Sequence, residues 1–168
     1  GVGERLITAK SEPVFGCVYK LVAVEDKDGN VTPKIKISEN VGKITTPHFK
    51  KLYRFYGRDT GKAIADYLTV YDSKNLEIFD PDATWKRKEV YHFEARELLV
   101  PIYQKGKLVY KRPSVEEIKT YCAEQVDTLW DEVKRFDNPH NYYVDLSQKL
   151  YDIKTRLLNE KNERREQN

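Results

Sequence analysis

The chain has 168 residues, of which 39% are hydrophobic and 34% charged, and 30 basic side chains nearly balance 27 acidic ones to give a net charge of +3. This length allows one hydrophobic core with a helical appendage and is too short for a large two-domain enzyme. No run of about 18 apolar residues is present to span a bilayer, so we expect no membrane partner. The small net charge argues neither for nor against an anionic ligand.

The first two-thirds of the chain has the pattern of an antiparallel sheet. β-rich runs at residues 18–24 and 34–37 flank an Asp-Gly turn at residues 26–30, which is a strong hairpin signal. A second pair of runs, at residues 51–56 and 67–71, flanks another turn sequence that ends in glycine. Further strands rich in aliphatic and aromatic residues are expected at residues 89–93, 98–103 and 107–110. The middle of the chain is therefore predicted to be mainly antiparallel sheet.

The pattern becomes helical at Ser114, which forms a capping box with Glu117 behind a proline. Apolar residues then recur at spacings of three and four and so share one helical face. This predicted stripe consists of Val115, Ile118, Cys122, Val126, Leu129, Val133 and Phe136. The sequence Asp-Asn-Pro at residues 137–139 is expected to end this first helix.

A second helix is predicted to open at Asp145 and to carry its own apolar stripe. The stripe consists of Leu146, Leu150, Ile153 and Leu157. We expect the two helices to pack as an antiparallel hairpin against the sheet, followed by a fraying polar tail from Asn159. The predicted fold class is therefore α+β, with a mainly antiparallel sheet followed by a C-terminal helical hairpin.

The cysteines indicate the cellular compartment of the protein, and the start of the chain indicates whether it is a fragment. Cys17 and Cys122 lie far apart, with no CxxC motif and no neighbouring histidine, so we expect neither a disulfide framework nor a zinc site. This usage fits a reducing cytosol, and we expect a cytoplasmic location. The chain contains no methionine and opens on Gly1 without a signal-peptide pattern. We therefore expect it to be a fragment of a longer protein.

Two features could bind anions. Gly1, Val2, Gly3 and Glu4, if they lead into a helix, could offer backbone N–H groups to a phosphate. A single GxG is a weak signal, and the alternative interpretation is a flexible chain end.

The second feature is a group of lysines on and after the first hairpin. In a strand, Lys34 and Lys36 share one face, and Lys43 follows. The alternative interpretation is a solvated or edge-protecting surface. Lys20 stands out because it interrupts an apolar run, where a lysine is seldom buried without an anionic partner.

No self-contained catalytic set is present, since the sequence has no Ser/His/Asp spacing, no metal-ligand cluster and no complete phosphate-binding loop. We therefore expect no catalytic residue and no metal site in this chain. Five isolated residues are assigned structural, surface or packing roles: His48, His92, His140, Trp85 and Trp130.

Taken together, long stretches of the sequence resemble the segment that follows the barrel in nicotinate phosphoribosyltransferases. These stretches are residues 1–8, 13–24, 33–40, 43–47, 98–100 and 106–110, with the helical sequences 129–132 and 144–146. The resemblance covers essentially the whole chain, which makes it far more specific than any single motif.

The resemblance implies a type II phosphoribosyltransferase fold, in which an incomplete α/β barrel is flanked by a domain built from both chain ends. This chain would then be the C-terminal segment. Residues 1–13 would be a phosphate-loop segment continuing from the barrel, residues 14–111 the β-rich domain, and residues 112–168 the helical hairpin and polar tail.

The family condenses nicotinate with phosphoribosyl diphosphate to give nicotinate mononucleotide and diphosphate, and ATP hydrolysis drives the reaction through a phosphorylated histidine. By resemblance, that histidine lies upstream of this chain. We therefore expect an enzyme that uses ATP and magnesium, and an isolated fragment that holds neither and is inactive. The expected partners are the two substrates, the rest of the enzyme chain and a second copy in a homodimer.

Carried over residue by residue, Gly1, Val2 and Gly3 match the family's glycine loop around the 5′-phosphate. Glu4 occupies the next position, which is commonly threonine. Lys20 resembles a strand lysine that faces the diphosphate in the related nicotinamide enzymes.

Lys36 resembles a second such lysine and Lys43 a third. Besides Glu4, two residues depart from the family pattern. Glu12 stands where the nicotinamide enzymes have an arginine, and His48 stands where the family has a glycine.

Two alternatives remain open at the level of sequence. One is a non-catalytic structural or interaction domain that docks through its helical stripe. The other is a nucleic-acid-binding module, which we disfavour because net charge is low and no RRM-type motif is present.

Overall fold

A computed structural model describes residues 18–71, 78–79, 85, 87–88 and 90–166 of the chain. The strands in this part are β1 (Ala23–Glu25), β2 (Val31–Pro33), β3 (Lys50–Gly57), β4 (Ala63–Val70), β5 (Ile78–Phe79), β6 (Arg87–Lys88), β7 (Phe93–Glu97), β8 (Tyr103–Gln104), β9 (Lys107–Leu108) and β10 (Val144–Ser147). The α-helices are α1 (Val115–Asp127), α2 (Asp131–Lys134) and α3 (Gln148–Glu166), and Val41–Lys43 forms a 3-10 turn.

A six-stranded sheet in the order β6-β5-β10-β4-β3-β7 organises the molecule. Every neighbouring pair in it is antiparallel except β10 and β4, which run parallel. Two small hairpins, β1-β2 and β8-β9, stand apart from it as two-stranded sheets. Antiparallel pairing therefore dominates, as predicted.

Strand β4 lies inside the sheet between β10 and β3, and residues on both of its faces are buried. On one face, Tyr67 is fully buried and packs with Phe55, whose ring also contacts Phe93 at a centroid distance of 4.5 Å. On the other face, Val70 packs with Leu146 and with Leu150. The core is thus made by the strand alternation of β4, with α3 covering one side.

The first hairpin has the predicted turn but shorter strands than predicted. The carboxylate of Asp26 accepts hydrogen bonds from the backbone N–H groups of Asp28 and Asn30, both at 2.9 Å, and Gly29 has a φ of 83°. Hydrogen bonds from Asn30 lower the pKa of Asp26. Local side-chain contacts of this kind specify a turn directly from sequence.

The first helix begins where the capping box predicts. Ser114 Oγ accepts from the Glu117 N–H at 3.2 Å, and Glu117 Oε2 accepts from the Ser114 N–H at 2.6 Å. The helix ends at Asp127, however, and not near residue 137. Lys62 Nζ donates to the carbonyl oxygen of Asp127 at 2.8 Å, which satisfies an acceptor at the helix end.

The predicted burial of the first helical stripe is wrong for the described part of the chain. No residue of α1 is buried, Val115 is 77% exposed and Phe136 is fully exposed. Cys122 is a free, exposed cysteine. The spacing identified an apolar face correctly, but the sheet of this chain does not cover it.

The start of the last helix also differs from the prediction. Residues 144–147 form strand β10 between β4 and β5, so Asp145 and Leu146 belong to the sheet. The cap is Ser147, whose Oγ accepts from the Leu150 N–H at 3.2 Å.

Helix α3 packs on β4 and β10, and no contact of similar extent links it to α1. The expected antiparallel helical hairpin is therefore absent from the described residues. Helix α3 continues to Glu166, so the polar segment from Asn159 to Glu166 is helical, although an irregular tail was predicted there.

The α+β class, with mainly antiparallel sheet and C-terminal helices, is confirmed. None of the helices in the described part of the chain is long and apolar enough to cross a membrane.

Candidate functional site

Two of the three predicted anion-binding lysines lie together in space. The Nζ atom of Lys20 donates to the carbonyl oxygen of Lys43 at 2.8 Å. The turn that carries Lys43 is closed by Asn40, whose side-chain oxygen accepts from the Gly42 N–H at 3.0 Å and whose carbonyl accepts from the Lys43 N–H at 2.9 Å. Lys20 is half-buried and Lys43 is exposed, so both ammonium groups have access to solvent.

Lys36 has a different setting from the one predicted. Strand β2 ends at Pro33, so Lys34 and Lys36 lie beyond the strand and not on it. The alternation persists nevertheless, because both lysines are exposed while Ile35 and Ile37 are half-buried. Lys36 therefore presents its charge to solvent near the β1-β2 hairpin.

Hydrogen bonds to backbone carbonyl oxygens connect the segment that carries Lys20, Lys36 and Lys43, called the lysine region, to the start of β3. The carbonyl oxygen of Val22 accepts from the N–H groups of Lys34 and His48, both at 2.8 Å. Lys50, at the start of β3, donates its ammonium to the carbonyls of Thr46 and His48, also at 2.8 Å. Burial lowers the pKa of Lys50.

The chemical property that these lysine ammonium groups share is positive charge, which can attract an anion. Lys20 has used one of its three N–H donors on a carbonyl, and Lys43 and Lys36 are exposed. Residues Gly1, Val2, Gly3 and Glu4, with Glu12 and Cys17, lie outside the described residues.

The sequence reasoning missed a buried charged group in the central sheet. Arg54 on β3 donates from Nε and Nη2 to the two carboxylate oxygens of Asp66 on β4, at 2.7 and 2.9 Å. Tyr142 donates its hydroxyl to Asp66 Oδ1 at 3.0 Å, and the Arg54 guanidinium lies 5.6 Å from the centre of the Tyr142 ring. The partnered guanidinium has a raised pKa, and burial together with Asp66 raises the pKa of Tyr142.

The three residues, called the Arg54–Asp66–Tyr142 group, tie the segment before β10 to the centre of the sheet. A signal for it existed in the sequence, since Asp66 interrupts the apolar run of β4 and a buried carboxylate needs a partner. Its partners could not be read from sequence, because they lie 12 and 76 positions away.

The isolated histidines and tryptophans have varied settings. His48 and His92 both have positive φ angles, 81° and 51°. Trp130 donates its indole N–H to the Ala63 carbonyl at 3.1 Å, but its side chain is 44% exposed, so the core packing role expected for it is not seen. Trp85 is 78% exposed, so the packing role expected for it is not seen.

A family model described as the nicotinate phosphoribosyltransferase C-terminal domain matches residues 49–154. The chain belongs to this family. Among curated relatives, nicotinate phosphoribosyltransferase of Bacillus subtilis is 40% identical over 95% of this chain and 35% of its own length. The enzyme of the same name from Caenorhabditis elegans is 36% identical over 90% of this chain and 27% of its own length.

The crystal structure of human nicotinic acid phosphoribosyltransferase is similar in fold. Its TM-score is 0.61 at 24% identity, over 68% of this chain and 24% of that chain. The chain therefore spans about a third or less of the length of these relatives.

The matched span of the nicotinate phosphoribosyltransferase C-terminal domain contains the six-stranded sheet, α1 and the first turns of α3. The Arg54–Asp66–Tyr142 group lies inside this span. Lys20, Lys36 and Lys43 lie before it, in a part of the chain that the alignment with the Bacillus subtilis protein reaches through its 95% coverage.

Proposed function

We propose that this chain is the C-terminal part of a nicotinate phosphoribosyltransferase. Such an enzyme joins nicotinate to phosphoribosyl diphosphate, releases diphosphate and serves NAD biosynthesis. The observation that carries the proposal is the family match over residues 49–154, and the 40% identity to the Bacillus subtilis protein supports it. The phosphorylated histidine of the ATP-driven reaction belongs to the part of the enzyme not included in this chain.

In this proposal the lysine region contacts the diphosphate. Lys20, Lys36 and Lys43 supply positive charge to a leaving group whose negative charge grows in the transition state. The contact between Lys20 and the Lys43 carbonyl supports a shared role for these two residues, because it holds their chain segments together before any ligand arrives. Gly1, Val2, Gly3 and Glu4 form the proposed loop around the 5′-phosphate.

Magnesium is not assigned to these residues. The described part of the chain contains no group of three or more His, Cys, Asp or Glu side chains that could hold a metal ion. ATP and magnesium are proposed for the complete enzyme because the chain belongs to the nicotinate phosphoribosyltransferase family. A cytoplasmic location, a homodimer and the division of the chain at residues 14 and 112 belong to the same proposal.

Titration calorimetry with phosphoribosyl diphosphate and with nicotinate mononucleotide tests the anion site. We expect weaker binding after Lys20→Ala and Lys36→Ala, and unchanged binding after Lys105→Ala, which removes an exposed lysine in the β8-β9 turn. Equal losses in all three variants would indicate nonspecific charge attraction and would contradict the assignment. Nicotinate mononucleotide formation by this chain alone would contradict its proposed inactivity.

A second candidate function, an interaction domain, is supported by a separate observation. Helix α1, the β8-β9 hairpin and the residues just before this hairpin expose large apolar side chains, each between 42% and 77% accessible. They include Leu99, Val100, Ile102, Tyr103, Leu108, Val115 and Ile118. Patches of this kind usually mark contact surfaces. The two functions are compatible if the rest of the enzyme chain covers this face.

A further inference from the structure

Strand β7 lies at one end of the six-stranded sheet, and no strand among the described residues pairs with its outer edge. Its last four residues, Glu94, Ala95, Arg96 and Glu97, are all exposed. An unpaired edge presents a row of backbone N–H and carbonyl groups on which a strand of another chain can pair. The outer edge of β7 is therefore a candidate contact surface.

Hydrogen bonds within the sheet show which backbone groups of β7 point outwards. The Leu98 N–H donates to the Leu52 carbonyl at 2.8 Å, so even-numbered residues of β3 and β7 bond to each other. The Tyr71 N–H donates to the Phe49 carbonyl at 3.0 Å, which agrees, because it assigns the odd-numbered residues of β3 to β4. Since bonding alternates along antiparallel strands, the N–H and carbonyl groups of Ala95 point away from the sheet.

Two opposite charges flank Ala95 on β7. Glu94 precedes it and Arg96 follows it, so their side chains share one face of the sheet. Arg96 lies opposite Arg54 of β3, a residue of the same charge. Its guanidinium contacts the Tyr121 hydroxyl at 3.3 Å, and in the described part of the chain neither Arg96 nor Glu94 has an ion-pair partner. Both charges are therefore available to a neighbouring strand.

We propose that β7 pairs with β7 of a second copy of this chain, antiparallel about a two-fold axis at Ala95. In this register the two Ala95 residues exchange backbone hydrogen bonds, and Glu94 of each copy lies opposite Arg96 of the other. These are non-hydrogen-bonded positions, where side chains of neighbouring strands approach most closely. An axis at Glu94 or at Arg96 would instead place like charges opposite each other. The charge pattern therefore favours one register and a partner with the same sequence.

The same symmetry brings the two α1 helices to one side of the joined sheet. The contact between Arg96 and Tyr121 places α1 on the face that carries Glu94 and Arg96. A two-fold axis between antiparallel edge strands is perpendicular to the sheet, so both copies present α1 on this face. The exposed apolar side chains of α1 add to the contact, while the β7 pairing sets its register.

The inference gives a surface to the homodimer that is part of the proposed function, and it rests on that part alone. It does not involve the lysine region or phosphoribosyl diphosphate. Calorimetry with that ligand tests the anion site separately, so a failure of the β7 pairing leaves the anion site unaffected.

Charge reversal tests the pairing by sedimentation velocity over a range of protein concentrations. Glu94→Arg and Arg96→Glu each place like charges at both cross-strand positions, so we expect each to weaken self-association about tenfold. An equimolar mixture of the two variants places opposite charges at both positions and should regain the association of the unaltered chain. Native mass spectrometry of the mixture should show mainly heterodimer, since the two variants differ in mass.

Two further variants separate the pairing from general effects. Glu25→Arg is the matched control, because Glu25 is an exposed acid on the separate β1-β2 hairpin. Ala95→Pro removes an N–H group that points away from β3, and edge strands tolerate proline at such a position. It should therefore weaken self-association without loss of the sheet. Circular dichroism spectra of each variant establish that the fold is retained.

Three results from folded variants overturn the inference: unchanged self-association after both charge reversals, a mixture that associates no better than its components, or equal weakening by Glu25→Arg. A chain that is monomeric at every concentration also overturns it. Unchanged self-association would mean that the charges of β7 protect the edge from pairing and do not select a partner.

Discussion

His48 has a backbone conformation that favours glycine, with a φ of 81°. A side chain at such a position costs about 1 kcal/mol or more relative to glycine. We therefore expect His48→Gly to raise the free energy of unfolding by about 1 kcal/mol, after allowing for the greater freedom of glycine in the unfolded chain. Thermal denaturation should show a midpoint higher by about 3 °C.

The control for this prediction is His48→Ala. It removes the imidazole and its contact with the Phe49 carbonyl at 3.1 Å but keeps the Cβ atom that causes the strain. It should give no gain in stability. If His48→Ala and His48→Gly raise the free energy of unfolding equally, the imidazole, and not the backbone conformation, destabilises the folded chain.

The Arg54–Asp66 ion pair should contribute far more to stability than the exposed pair beside it in the same sheet. Asp66→Asn leaves Arg54 without its partner at a site where the two side chains are only 19% and 9% exposed, so we expect a loss of about 3 kcal/mol. Glu97→Gln breaks the Lys51–Glu97 pair, whose side chains are 23% and 39% exposed. That change should cost under about 0.5 kcal/mol. Urea denaturation of both variants measures the difference.

Because of Tyr142, the free energy of unfolding should fall as pH rises in the alkaline range. Burial and Asp66 raise its pKa in the folded chain, whereas the unfolded side chain ionises near pH 10. Above that pH the unfolded chain binds fewer protons than the folded one, so the stability contributed by Tyr142 is lost as pH rises. Tyr142→Phe should flatten the decline in unfolding free energy between about pH 10 and 12. Tyr103→Phe, which removes a hydroxyl from the exposed β8-β9 hairpin, is the matched control.

At the scale of elements, the sequence predicted the turns and helix starts that are determined by contacts between neighbouring residues. The Asp26–Asn30 turn and the Ser114–Glu117 capping box are both closed by side chains within four residues, and both were predictable. Strand β10 was not, because four residues cannot be distinguished by pattern from the first turn of a helix. Its identity is set by parallel pairing with β4, which lies more than 70 positions earlier.

The same limit applies to burial and to the candidate site. Apolar spacing predicted a face on α1 and a stripe on α3, yet only the second of these packs on the sheet. Lys20 and Lys43 were singled out as separate residues, and their contact across 23 positions depends on how the loop folds back. Sequence pattern therefore indicates which side chains need a partner, and tertiary structure decides which partner they obtain.

A matched pair of truncations tests where the core lies. Leu150 on α3 is fully buried against Val70 of β4 and Leu146 of β10, so Leu150→Ala should cost about 3 kcal/mol of unfolding free energy. Ile118 on α1 is 52% exposed, so Ile118→Ala should cost under about 0.5 kcal/mol in this chain. Similar losses from both would mean that α1 is packed in solution. Chemical denaturation monitored by circular dichroism gives both values.

At the scale of the whole molecule, the described residues have a buried centre and many exposed large apolar side chains. The buried residues cluster around β3, β4, β10 and α3, whereas residues 99–126 contribute about half of the exposed large apolar side chains among the described residues. The relatives are about three times as long as this chain or longer, which agrees with a surface that further polypeptide would cover. In isolation, that surface is available for association between copies of the chain.

We therefore expect the isolated chain to self-associate through α1 in a concentration-dependent manner. Introducing charge with Ile118→Glu should shift sedimentation velocity profiles towards monomer, because a carboxylate at an apolar contact must lose its hydration. Glu116→Gln, two residues away and 82% exposed, removes a charge from a different side of the same helix and should not favour monomer. If Ile118→Glu leaves the association unchanged, the contact lies elsewhere, and the β8-β9 hairpin becomes the surface to alter next. If the chain is monomeric at every concentration, the exposed face of α1 does not promote association, and its contribution to an interaction domain is contradicted.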